Sequence, residues 1–190
     1  PKDAGLYMSM TLDIGSSFDH IVTLTSYIAV CVAKALRITT GKDARIKWVN
    51  DIYIENKKVC GILTEAFTKQ GQIKKVIIGI GINLYPFDVT EELKNVVGFV
   101  CPTQDISNDL VSIIFNTLHE YDLTNQELNK YIISDAKSLS CVLGRSISFT
   151  QDGIVHYGVA TDIYNDGALE VKTEDGIVLL RSGEISLRVV

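Results

Sequence analysis

Lys58 and Gly61 share one apolar segment, KKVCGILTEAF, and the following apolar segment, VIIGIGINL, carries Gly79 and Gly81. Glycine weakens a strand interior and often marks where a ligand or another backbone must come close. A lysine beside such glycines supplies positive charge for an anionic ligand. Just upstream, Lys47, Trp48, Asn50 and Asp51 fall in the cluster KWVND. The stretch from Lys47 to Asn83 therefore reads as a pocket wall, with small residues giving room and lysines giving charge. Plainer readings compete with this one. Lysines beside a hairpin turn are usually solvated, Leu63 suits ordinary core, and KWVND suits a strand end with a core tryptophan and an Asn-Asp turn.

Other chemistries are excluded by what accompanies these residues. GIGINL has Leu84 where a dinucleotide fingerprint needs its third glycine, and Tyr85-Pro86 follow where a helix should open. The phosphate-on-helix geometry is missing, so a nicotinamide cofactor is rejected. Cys31, Cys60, Cys101 and Cys141 are far apart and form no CxxC pair, which reads as reduced, mostly buried thiols of a cytoplasmic protein. His20, His119 and His156 show no partner spacing, and no metal-binding motif is present. A net charge of −5 argues against nucleic-acid binding through bulk charge. No apolar run reaches the roughly 18 residues of a membrane span, and PKDAGLYMSM lacks the pattern of a signal peptide.

The elements that must position the lysines and glycines follow from periodicity. Leu6 to Leu12 alternates as a strand. A helix capped by Asp19 runs from about His20 to Arg37, apolar nearly all round and so largely buried. Strands are expected at Arg45 to Trp48, Ile52 to Ile54, Val59 to Phe67 and Val76 to Ile82, with turns at Asn56 and Lys69 to Gln72. Past Pro86, a stripe from Leu110 to Tyr121 marks one helix, and a capping box at Thr124 and Glu127 opens another. From Gly144 onward, short β runs are separated by Asp152-Gly153, Asn165-Asp166-Gly167 and Asp175-Gly176, strong hairpin signals. Five short strands there suggest a small barrel. The expected domains are residues 1–142 and 143–190.

In this order and spacing, KWVND, KKVCGILTE and GIGINL resemble biotin–protein ligase, the enzyme that attaches biotin to carboxylase carrier domains, and GEISLR from Gly183 to Arg188 resembles that family's C-terminal signature. The resemblance implies an α+β fold: a mixed sheet with helices, like biotin/lipoate ligases and class II synthetases, followed by an SH3-like β-barrel. It implies that ATP and biotin are substrates, with Mg²⁺ arriving on ATP, and that biotinyl-5′-AMP forms before biotin passes to a carrier-domain lysine. Lys58 matches the family's catalytic lysine at the carboxylate–phosphate junction. Lys58, Gly61, Leu63, Gly79 and Ile82 would bind biotin. Asn83, Lys47, Glu184 and Arg188 would bind the nucleotide, and Trp48, Asn50 and Asp51 would support the site. A biotin carboxyl carrier domain is the implied partner, homodimers occur in the family, and DNA binding would need a further N-terminal domain.

Two departures from the pattern stand out. Val49 sits where the family usually has proline. The family's glycine- and arginine-rich loop and its Ser/Thr-rich biotin segment should precede Pro1, so the chain reads as the C-terminal part of a ligase, inactive alone. Two alternatives remain: a lipoate or octanoate ligase of the same superfamily, and a non-catalytic carrier-binding or dimerisation fragment.

Overall fold

A computed structural model describes residues 3–13, 21–69, 72–120, 126–151, 153–181 and 185–187. The caps expected at Asp19 and Thr124, the turn at 70–71, Asp152, and the two C-terminal candidates Glu184 and Arg188 lie outside them. The first half contains β1 (Gly5–Asp13), α1 (Ile21–Thr40), β2 (Arg45–Lys47), β3 (Asp51–Ile54), β4 (Lys57–Lys69) and β5 (Gln72–Asn83). These strands form one sheet in the order β1-β5-β4-β3-β2. All its ladders between described residues are antiparallel, whereas a mixed sheet was expected. The physical reason is the short connection: β2 to β5 follow one another with only two or three residues between them, and so short a link joins only antiparallel strands. Among the described residues, parallel pairing is confined to two isolated bridges, Ile46 with Ser140 and Lys58 with Val97.

Helix α1 packs on one face of this sheet, and α2 (Ser107–Glu120) and α3 (Gln126–Leu139) cover the side of α1 turned away from the sheet. That is why it is apolar all round: Leu24 and every residue from Tyr27 to Ala33 are fully buried. The Tyr27 hydroxyl finds the Leu118 carbonyl of α2 at 2.5 Å, as a buried phenol must. The helix runs three residues past the expected Arg37. Thr39 and Thr40 turn their hydroxyls back onto the Ala35 and Leu36 carbonyls, and Gly41, at φ +69°, closes it through its N–H on the Arg37 carbonyl.

The C-terminal strands are β6 (Ser146–Gln151), β7 (Ile154–Ile163), β8 (Leu169–Thr173), β9 (Gly176–Leu180) and β10 (Ile185–Leu187), in the order β10-β6-β7-β8-β9. This is the expected small all-β unit, and it encloses a core of its own around Ile147, Phe149, Ala160, Leu169 and Val171. Trp48, from the first sheet's β2–β3 turn, and Ile133 of α3 belong to this second core.

Candidate functional site

Alternation along β4 and β5 decides which residues meet. Ile62, Ile78, Ile80 and Ile82 point to α1 and are at most 2% exposed. Their neighbours point the other way, to the face that the helices leave open. Across that face the register aligns Tyr7, Gly81, Gly61, Asp51 and Lys47 in one row. Ser9, Gly79 and Leu63 form the next row. Three glycines thus lie side by side and leave bare backbone as a floor. A Cβ at Gly81 would stand 3.5 Å from the Tyr7 ring, one at Gly79 3.8 Å from Leu63 Cβ, and one at Gly61 3.3 Å from Lys58 Cε.

The floor belongs to an open cleft of about 490 Å³, a size suited to a small molecule. Tyr7 and Leu63 wall it with apolar surface, 53% and 60% exposed. Asn50, Asp51 and Lys58 make its polar end. The Lys58 ammonium lies 2.7 Å from Asp51 Oδ1, with the lysine side chain 37% and the aspartate 17% exposed. The two charges attract without hydrogen-bond geometry.

Regular alternation would aim Lys58 into the core, because Val59 rather than Lys58 shares parity with Gly61. The register between β3 and β4 shifts here, with Ile52 opposite Cys60 but Tyr53 opposite Lys58. The extra residue is a bulge. Val59 and Cys60 are both buried, at 1% exposure, and Lys58 turns out onto the glycine face. Bulges commonly re-aim a side chain beside a binding site.

Two further contacts fix this corner. Asn50 grips β4 at both of its groups: its Nδ2 donates to the Ile62 carbonyl at 3.0 Å, and its own carbonyl accepts the Ile62 N–H at 2.9 Å. Residues 96–100 cross the strand ends as a strap. The Lys58 N–H donates to the Val96 carbonyl and the Gly98 N–H to the Lys58 carbonyl, both at 2.8 Å. Gly98 is required for this approach, since a Cβ there would stand 2.6 Å from Lys57 Cβ.

Of the sequence candidates, Lys58, Gly61, Leu63, Gly79, Asn50 and Asp51 are brought together at the cleft. Ile82 is not; it is fully buried on the α1 side, one residue out of phase with the glycines. Asn83 sits past the cleft and spends its Nδ2 on the Gly98 carbonyl at 3.2 Å. Lys47 lies at the far end of the glycine row, its ammonium 5.5 Å from the Tyr53 ring centroid. Burial, then the charges of Asp51 and Cys141, push the Tyr53 phenol upward, so it offers a neutral aromatic face. Trp48 is buried away from the cleft, with Nε1 donating to the Gly167 carbonyl at 2.9 Å. Tyr7 and Ser9 were missed as site residues, although the apolar alternation of Leu6, Met8, Met10 and Leu12 already places them on the opposite face. Among the described residues, no group of three or more His, Cys, Asp or Glu side chains is placed to hold a metal ion, and no helix is long and apolar enough to cross a membrane.

Comparison with known proteins bears on the family and the fold. Residues 1–83 match the model of the biotin/lipoate A/B protein ligase family, and residues 142–188 match that of the biotin protein ligase C-terminal domain. The bifunctional ligase/repressor BirA of Bacillus subtilis (strain 168) is 31% identical over 96% of the chain, and its counterpart in Escherichia coli (strain K12) 29% identical over 99%. The chain spans 58% and 60% of the length of these two relatives. Among solved structures, biotin protein ligase from Aquifex aeolicus in complex with biotin and ATP superposes with a TM-score of 0.79 at 27% identity, covering 97% of this chain and 78% of that one. The apo structure of the same enzyme gives 0.80, covering 97% and 82%. With matching models at both ends and a shared fold between them, the chain belongs to the biotin protein ligase family.

Proposed function

We propose that the protein containing this chain is an ATP-dependent, AMP-forming biotin–protein ligase. Residues 1–142 would serve as catalytic domain and 143–190 as the accessory barrel. The observation that carries this reading is the glycine-floored cleft with the Lys58 ammonium at one end. The planar ureido ring of biotin can lie against backbone at Gly61, Gly79 and Gly81, with Tyr7 and Leu63 beside the apolar thioether ring and chain. The carboxylate at the end of that chain would then reach toward Lys58.

In the first step a carboxylate oxygen attacks the α-phosphorus of ATP, the bond to pyrophosphate breaks, and biotinyl-5′-AMP forms. Two anions must approach, and charge builds on the phosphoryl oxygens. A fixed ammonium offsets that charge most strongly in the transition state. Asp51 holds the ammonium at the polar end of the cleft, 2.7 Å from its Oδ1. In the second step a carrier-domain lysine amine attacks the acyl carbon, loses a proton, and AMP departs. Mg²⁺ would enter with the ATP phosphates, whose charge it screens. Asn83, Lys47, Glu184 and Arg188 remain the proposed nucleotide side of the site, and the carrier domain the proposed partner. A cytoplasmic location is proposed on the same reading.

The test is ATP–pyrophosphate exchange by the full-length protein with biotin, lipoate or octanoate. Exchange with biotin is expected, and Lys58→Ala should lower it roughly a hundredfold, about 3 kcal/mol of lost transition-state stabilisation. Exchange driven by lipoate instead would replace biotin as the substrate. A rate for Lys58→Ala within about threefold of wild type would remove Lys58 from its role.

A further inference from the structure

The turn carrying Asn50 and Asp51 is held from two sides. On one side Asn50 clamps it to Ile62 of β4, and Asp51 pairs with Lys58. On the other, Trp48 leaves the first sheet and enters the barrel core, 4% exposed among Ile147, Phe149 and Leu169. Its indole N–H finds the carbonyl of Gly167, 119 residues away, at 2.9 Å. That carbonyl is itself fixed. Gly167 has φ +82° and donates its N–H to the Tyr164 carbonyl, while Asp166 accepts from the Ala168 N–H, so the 164–168 turn is a closed hydrogen-bonded loop. Val49 packs against the same core. Only two residues separate the buried indole from the carboxylate facing Lys58.

From this we infer that Trp48 is a positioning residue: the barrel sets the Asp51–Lys58 pair at the cleft through the Trp48–Gly167 hydrogen bond. A movement of the 164–168 turn is carried along three rigidly held residues to the ammonium. No described residue of the barrel lines the cleft, so its hold on the pair runs through Trp48. The inference rests on the ligase reading only for its kinetic consequence; its mechanical part stands without any ligand.

The full-length protein with Trp48→Phe tests it, since an aromatic ring, though a smaller one, stays in the barrel core while the N–H is lost. Amide hydrogen exchange reads the mechanical part. The Ile62 N–H, which donates to Asn50, should exchange roughly tenfold faster, while Ile78 and Ile80 in the same sheet keep their rates. Kinetics read the functional part. Trp48→Phe should lower kcat of pyrophosphate exchange about tenfold at little change in the KM for ATP, and should add nothing in an Asp51→Asn background, because both changes release the same pair. Unchanged exchange at Ile62, equal acceleration of all three amides, or full additivity with Asp51→Asn would overturn the inference. If wild type shows no biotin-dependent pyrophosphate exchange while Ile62 still responds, the ligase reading fails and the coupling stands.

Discussion

A single methyl group separates the structural from the binding role of the glycine floor. Gly79 has room for a Cβ, whose nearest neighbour would be Leu63 Cβ at an ordinary 3.8 Å. Alanine there keeps the strand intact and restricts the unfolded chain, which is worth up to about 1 kcal/mol of stability. The same methyl rises from the floor into the space a ring would occupy. Gly79→Ala is therefore expected to keep or raise the urea midpoint while lowering biotin affinity about tenfold by calorimetry; unchanged affinity would return Gly79 to a purely structural role. Gly61→Val is the harsher case. Its Cβ already meets Lys58 Cε at 3.3 Å, so the branched side chain must displace the lysine as well as fill the floor. Biotin binding should vanish with only a modest loss of stability, and a measurable heat of binding near the wild-type value would contradict it.

Among the elements, β4 carries the most of the site, and its bulge is the step that periodicity cannot give. A bulge exists only relative to a partner strand, and neither the Ile52–Cys60 pairing nor the shift at Tyr53 leaves a mark in KKVCGIL. The glycines and the lysine were legible as types out of place in a strand. Their common face was not, since it depends on the register among β1, β4 and β5. Ile82 shows the cost: the family resemblance implied a biotin-binding residue, and alternation puts it in the core. The strap at 96–100 was likewise hidden, because Gly98 sits in a stretch with no periodic signal. Gly98→Ala tests the strap. A Cβ 2.6 Å from Lys57 Cβ and 3.1 Å from Val59 Cγ1 forces β4 and the strap apart. The expected loss is about 1–3 kcal/mol in urea unfolding, with biotin affinity falling as the Lys58 backbone loses its two clamps. A loss under about 0.5 kcal/mol, the size of an ordinary surface change, would mean that the strap slides freely.

At the scale of the whole molecule, two cores meet across Trp48, Ile133 and the Lys137–Asp162 ion pair at 2.6 Å. The all-β grammar after Gly144 was legible from its turn residues, but the exchange of a tryptophan between the cores was not, since nothing local distinguishes a tryptophan of one core from that of another. The larger core also holds two thiols in an apolar setting. Burial is the main cause that pushes Cys31 from 9.0 up to about 12, with Lys34 and Tyr27 opposing it. Cys60 is pushed up as well, by burial first and then by Asp51. Both folded values lie above the unfolded one, so their contribution is complete below pH 9 and is lost as pH rises toward the folded pKa. Between pH 9 and about 12, the unfolded chain has released the Cys31 proton and the folded chain retains it. Unfolding then releases a proton, and stability falls with pH by up to about 1.4 kcal/mol per unit for each such thiol. Cys31→Ala removes one of them. It should lower stability at pH 7 through lost packing, yet its stability should fall less steeply than wild type between pH 9 and 11 in urea titrations. Parallel slopes for the two proteins would mean that Cys31 ionises as readily in the folded core as in the open chain.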